Sequence, residues 1–127
     1  MGFVFLSLAD VLQLHSDQID HYGGEVGVRD QGLLESALAQ PVATFDRQRL
    51  RADLFEMAAA YLFHIVQNHP FVDRNKRAGV VAALVFLMDN SIEIEAEPGE
   101  LYELTMSVAR SDAGKTEVTE FFRHHAH

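Results

Sequence analysis

The sequence predicts an all-α domain, a bundle of about six helices around an apolar central helix. Three observations carry that expectation. Apolar residues recur at helical spacing through most of the chain, and Ser, Asp, Gly and Pro fall where such segments begin and end. One segment, 80–88, is apolar on every side, which suits the middle of a small bundle. With 127 residues, 48% apolar and 23% charged, the chain is sized for one core, so a single domain over 1–127 is expected.

Ser7 with Asp10 three positions later makes a capping box, and Leu8, Val11, Leu12, His15 and Ile19 follow at helical intervals until Gly23-Gly24 stops the first helix. A polar, glycine-bearing stretch over 23–32 reads as a loop. Asp30 then caps a short second helix through Leu33, Leu34, Ala37 and Leu38, which Pro41 is expected to terminate. The looser segment 41–51 carries Arg47, Arg49 and Arg51, a small basic patch that reads as a solvated face. Asp53 and Glu56 open a third helix through Leu54, Ala58, Tyr61, Leu62 and Ile65. Pro70 ends it, because the residue before a proline avoids helical torsions. The fourth helix begins near Asn75 and runs to about Asn90. Ile92-Glu93-Ile94-Glu95 alternates like a short extended piece, and Pro98 suits the first turn of a fifth helix through Leu101, Leu104 and Val108. A last helix covers about 116–124, and His124-His125-Ala126-His127 reads as a frayed tail.

Composition narrows the function. A formal net charge of −9 disfavours a role in coating nucleic-acid phosphates, though it says nothing against a local basic pocket. The absence of cysteine excludes a disulfide scaffold, a thiolate nucleophile and a cysteine-ligated metal. The apolar start lacks a basic n-region, and the longest apolar run, 78–88, falls short of the ~18–20 residues that span a bilayer. A soluble, cytoplasmic protein is expected, with no membrane or direct nucleic-acid partner. His15, His21, His64 and His69 miss the i, i+4 spacing of a helical zinc pair, and no P-loop, dinucleotide fingerprint or Ser-His-Asp pattern occurs.

The chemical signal lies between the third and fourth helices. A helix N-terminus presents unpaired N–H groups and a partial positive charge, so Lys76 and Arg77 in that first turn are placed against the dipole. An anion bound there resolves the conflict, and several phosphates fit such a site. Asp73 adds a hard oxygen ligand of the kind Mg²⁺ takes beside phosphates, and His69 adds a side chain of the type that exchanges protons near neutral pH. Singly, each has an ordinary explanation: a helix-end histidine, an N-cap aspartate, solvated cations. Their combination next to a fully apolar helix points to group transfer from a nucleotide to a hydroxyl. Phe71 reads as an apolar pin that anchors the loop.

His69-Pro70-Phe71-Val72-Asp73-Arg74-Asn75-Lys76-Arg77 resembles the Fic-fold signature, in the lysine-bearing version that marks the death-on-curing (Doc) toxins. The similarity extends to Tyr22-Gly23-Gly24, to Gly27-Val28-Arg29-Asp30 with Gly32-Leu33-Leu34-Glu35-Ser36-Ala37, and to Asp53-Leu54-Phe55-Glu56 with Tyr61-Leu62, covering most of 8–90. The resemblance implies a Fic-fold bundle with a flap between the first two helices. It implies a toxin of a type II toxin-antitoxin system that moves the γ-phosphate of ATP, with Mg²⁺, onto a hydroxyl of a target protein. Elongation factor Tu is the family's target class, and translation stops. A small antitoxin with a tail that folds on binding would be the partner, and the basic patch at 47–51 would meet that tail's acidic surface.

By position, His69 would deprotonate or orient the acceptor hydroxyl and Asp73 would hold Mg²⁺. Asn75, Lys76 and Arg77 would bind the phosphates, while the flap residues Gly27, Val28, Arg29 and Asp30 would pair with a segment of the target. Nucleotidyl-transferring members usually carry Gly where Lys76 stands and Arg where Val80 stands, so both departures favour phosphoryl transfer. AMP transfer, or a catalytically silent peptide-binding module, are the alternatives on the same fold. Arg74 replaces the common Gly or Ala. Its side chain is expected in solvent, with crowding of the anion or an added phosphate contact as the other options. Residues 116–120 fit most of an inhibitory Ser/Thr-x-x-x-Glu-Gly/Asn helix, but Phe121 breaks it, so Thr116 reads as an ordinary helix start.

Overall fold

Local capping rules set most of the helix boundaries. The computed structural model describes residues 3–47 and 53–127 and contains, within them, α1 (Leu8–Tyr22), α2 (Gln31–Arg47), α3 (Leu54–Asn68), α4 (Asn75–Asp89), α5 (Pro98–Ala109) and α6 (Lys115–His125). Ser7 and Asp10 close the expected capping box, and Gly23, at φ 79°, takes the turn that ends α1. Asp30 Oδ1 accepts from the Leu33 N–H at 3.0 Å, and Asp53 Oδ1 accepts from the Phe55 N–H at 2.7 Å. Pro98 occupies the first turn of α5.

Pro41 does not terminate α2, which continues to Arg47. A proline inside a helix removes one backbone hydrogen bond and crowds the carbonyl four residues back. Leu34, Ala37 and Pro41 nevertheless form one buried stripe at three- and four-residue spacing, and α2 lies against α3. Packing of that stripe outweighs the local penalty. The patch of Arg47, Arg49 and Arg51 falls on side chains outside the described residues.

Two apolar helices share the centre. Residues 57–62 with Ile65 and Val66 of α3 are fully enclosed, and α3 touches α2, α4, α5 and α6. The buried side of α4 consists of Ala78, Gly79, Ala82, Ala83, Phe86 and Leu87. Its other side, with Val80, Val81 and Leu84, is only half-covered, and Met88 is 62% exposed. The all-round apolar pattern of α4 therefore serves two surfaces, a packed one and an open one. Small residues let the two helices close up: a Cβ built on Gly79 would stand 2.9 Å from Val66 Cγ2 and 3.1 Å from the Leu62 carbonyl oxygen.

The N-terminal segment is laced across this centre. Leu6 N–H donates to the Tyr61 hydroxyl at 2.9 Å, and Asn90 exchanges two 2.9 Å bonds with the Val4 backbone. Burial pushes the Tyr61 phenol up to about 12.

The C-terminal histidines are not frayed. Glu93 and Glu95 lie in the expected extended piece, which pairs with the tail: Glu95 N–H donates to the His125 carbonyl at 2.9 Å and His127 N–H to the Glu93 carbonyl at 2.8 Å. The His125 ring stacks on Phe121 at 4.0 Å and approaches Glu100 Oε2 at 3.3 Å. The Glu97 N–H, and then His125, hold the Glu100 carboxyl below its ordinary value. An extended segment with unpaired backbone groups supplied the tail with partners that composition does not reveal.

In α6, Arg123 bridges Glu120 and Asp53, the cap of α3. Glu120 thus sits beside the N-terminal end of α3, and His69 lies beyond the other end of a helix about 22 Å long at 1.5 Å per residue. That placement agrees with reading Thr116 as part of an ordinary helix start.

Candidate active site

Two residues in left-handed backbone conformation bracket the loop between α3 and α4. His69, at φ 49° and ψ 54°, is the C-cap of α3, and Arg74, at φ 63°, is the N-cap of α4. His69 escapes the helix through the left-handed region rather than the extended region expected before a proline. Each such conformation costs a non-glycine residue about 1 kcal/mol or more, so the surroundings must enforce it.

The enforcing contacts come from α1, from the start of α4 and from the stretch 27–30. Asn75, 8% exposed, accepts from the Phe71 N–H at 2.9 Å and donates to the Phe71 carbonyl at 3.0 Å. The Phe71 ring, 1% exposed, lies flat on His15 of α1 at 3.8 Å, and His15 Nε2 donates to the Asp73 carbonyl at 2.8 Å. The stretch 27–30 runs along the loop: Val28 pairs with Phe71, the Pro70 carbonyl accepts from the Arg29 and Asp30 N–H groups, and Val72 N–H donates to the Gly27 carbonyl. The Arg29 guanidinium donates to the His69 carbonyl at 2.7 Å and the Asn68 carbonyl at 3.0 Å, covering the C-terminal end of α3.

Asp73 is held between the loop and the end of α1. Its carboxylate accepts from the Glu25 N–H at 3.2 Å and the Arg74 N–H at 2.9 Å. Those two bonds, Glu25 first, hold its pKa below the ordinary carboxylate value, so it is ionised at neutral pH. Close approach demands glycine opposite: a Cβ on Gly24 would stand 2.8 Å from Asp73 Oδ2. No side chain caps α4, and its first turn holds no acid. Lys76 there is exposed, and the Arg77 guanidinium lies 3.8 Å above the Tyr22 ring, a cation–π contact. The first turn of α4 thus presents two cations and uncompensated N–H dipoles beside an ionised carboxylate.

A groove of 550 Å³ begins at Asp73, Arg74, Lys76 and Arg77 and continues between two walls. Val80, Val81 and Leu84 of α4 form one wall, and Pro98, Leu101, Tyr102 and Thr105 of α5 form the other. The mouth is charged and the floor apolar. Asp73 is the carboxylate at this mouth, and the residue that could hold a metal there. Among the described residues no group of three or more His, Asp or Glu side chains gathers to hold a metal. A Mg²⁺ ion held by one carboxylate fits if phosphate and water oxygens complete its shell, which is its usual arrangement in nucleotide sites.

Comparison with known proteins decides the family. The family model described as Fic/DOC matches residues 5–87. The chain is 32% identical over 118 residues to the protein kinase doc of Escherichia phage P1, covering 93% of this chain and 92% of that protein. It is also 42% identical over 76 residues to the toxin Doc of Mycolicibacterium smegmatis, covering 60% of this chain and 58% of that protein. The chain belongs to the Fic/DOC family.

Within this Fic/Doc fold, the loop brings Asp73, Lys76 and Arg77 to one groove mouth, while His69 stands exposed at the loop's opposite end. The Asn75 amide is turned into the loop, towards Phe71. Arg74 is exposed, as expected, but its side chain is tied down. Its Nε donates to the Gly23 carbonyl at 2.9 Å and its Nη2 to the Tyr22 carbonyl at 2.7 Å. The last turn of a helix leaves its carbonyls unpaired and partly negative, which draws a guanidinium to them. Sequence reasoning gave Tyr22 no part in holding Arg77, and it passed over the buried His15 and the α5 wall as parts of the site. His15 had appeared as one more residue of an apolar stripe, and a histidine in such a stripe was its one visible signal. No helix of the described residues is long and apolar enough to cross a membrane.

Proposed function

We propose that this Fic/Doc chain is a toxin of a type II toxin-antitoxin system and transfers the γ-phosphate of ATP to a hydroxyl of a target protein, with elongation factor Tu as the target and arrest of translation as the result. The observation that carries the reading is the first turn of α4: two cations, no acid and no cap, next to the ionised Asp73. Lys76 and Arg77 would take the phosphates, with the backbone N–H of Asn75 adding to the cradle while its amide keeps the loop shut. The acceptor hydroxyl gives its proton to His69, its oxygen bonds the γ-phosphorus, and the bond to the β–γ bridging oxygen breaks to release ADP. Mg²⁺ held by Asp73 would neutralise charge developing on the phosphate oxygens. The groove's charged mouth and apolar floor suit a ligand anionic at one end and flat and apolar at the other. Lys76 and Val80 stand where nucleotidyl-transferring relatives usually have Gly and Arg, which favours phosphoryl over AMP transfer.

The flap 27–30 would present a segment of the target to His69, and a small antitoxin with a tail that folds on binding would restrain the enzyme in the cytoplasm. Incubating the protein and Mg²⁺ with cell extract and ATP labelled at either the α- or the γ-phosphate distinguishes the chemistry. Label from the γ position on one target band is expected, and label from the α position would replace the kinase reading with AMP transfer. Expression should arrest growth, and His69→Ala or Asp73→Ala should abolish the arrest. If both variants stay toxic, the catalytic reading fails.

A further inference from the structure

We propose that Arg74 is a positioning residue, a clamp between the end of α1 and the start of α4 that keeps Asp73 and Arg77 in working register; its role in the reaction rests on the function proposed above. Besides the His15 bond to the Asp73 carbonyl from the middle of α1, three ties cross at the helix end: Arg74 to the Tyr22 and Gly23 carbonyls at 2.7 and 2.9 Å, Asp73 to the Glu25 N–H at 3.2 Å, and Arg77 on the Tyr22 ring at 3.8 Å. The last two involve groups already assigned to metal and phosphate. The first involves none, and it is the one made by a charged, planar donor on two successive carbonyls, a geometry that guanidinium matches and ammonium does not.

The segment it restrains holds two adjacent glycines in left-handed or extended-positive backbone conformation. Gly23 and Gly24 sit at φ 79° and 122°, so without the clamp the backbone from Tyr22 to Glu25 has two glycine pivots. Motion there would withdraw the Glu25 N–H from Asp73 and the Tyr22 ring from Arg77 together. Arg74 holds this position against its own backbone preference, at φ 63° where glycine would be unstrained. The side chain therefore contributes something that a glycine would not.

Arg74→Gly removes the clamp without asking a new side chain to hold that φ. In the protein without nucleotide or metal, amide hydrogen exchange at Glu25, whose N–H bonds Asp73, should speed up about tenfold, while α3 amides stay unchanged. The Mg²⁺ concentration giving half-maximal phosphotransfer should rise about tenfold, with kcat at saturating Mg²⁺ changing much less. Arg74→Lys, with one point donor, should fall between. Unchanged exchange at Glu25 with weakened ATP binding by calorimetry would overturn the proposal and make Arg74 a direct phosphate ligand. Faster exchange with an unchanged Mg²⁺ requirement would also overturn it, leaving a purely structural tie. Because the exchange comparison uses neither ATP nor Mg²⁺, its result stands apart from that of the labelled-ATP experiment.

Discussion

At position 75 a single amide closes the loop. Truncating it as Asn75→Ala leaves the buried Phe71 N–H and carbonyl without their partner, at a cost of about 1–3 kcal/mol for each group left unsatisfied. Urea unfolding should show a loss of at least about 2 kcal/mol. Asp73 yields a pH expectation. Its folded pKa is depressed, chiefly by the Glu25 N–H, so its stabilising contribution is present above the unfolded carboxylate value of about 3.9 and fades as pH falls through the lower folded value. The stability gap between the native chain and Asp73→Asn, measured by denaturant titration, should be constant near neutrality and close only in strong acid. At this scale the motif residues were readable from their spacing. The partners of Arg74 were not, because its bonds reach Tyr22 and Gly23, some fifty residues away, only after α1 and α4 meet.

Among the elements, the crossing of α3 and α4 sets the tightest tolerance. Alanine in place of Gly79 gains about 1 kcal/mol of helix propensity, but its Cβ meets Val66 and the Leu62 carbonyl at 2.9 and 3.1 Å, and overpacking costs about 1–3 kcal/mol. Net destabilisation of about 1 kcal/mol is expected by thermal or urea unfolding. An unchanged or raised stability would mean the two helices slide apart freely. Helix starts were legible because Ser7, Asp30, Asp53 and Pro98 act within one turn. The end of α2 was not, because the stripe of Leu34, Ala37 and Pro41 draws its stabilisation from α3. The frayed reading of the tail failed for a similar reason: its partners, Glu93 and Glu95, lie some thirty residues back along the chain.

For the molecule as a whole, Tyr61 links the N-terminal segment to the core and sets an alkaline limit. Its pKa is raised by burial to about 12, above the unfolded value of 10.0, so the stability it contributes is whole below pH 10 and disappears as pH rises through 12. Unfolding free energies measured between pH 9 and 12 should fall steeply. Tyr61→Phe should flatten that fall while lowering stability at neutral pH by about 1–3 kcal/mol through the orphaned Leu6 N–H.

By itself the sequence determined the helical class, most helix starts, and the loop from His69 to Arg77 with its misplaced cations, since capping, periodicity and the helix dipole act over a few residues. Tertiary structure alone decided that Arg74 clamps α1, that α3 shares the centre with α4, and that α5 walls a groove running from the cations. Those outcomes depend on which helices touch, and contacts between segments tens of residues apart leave no local pattern to read.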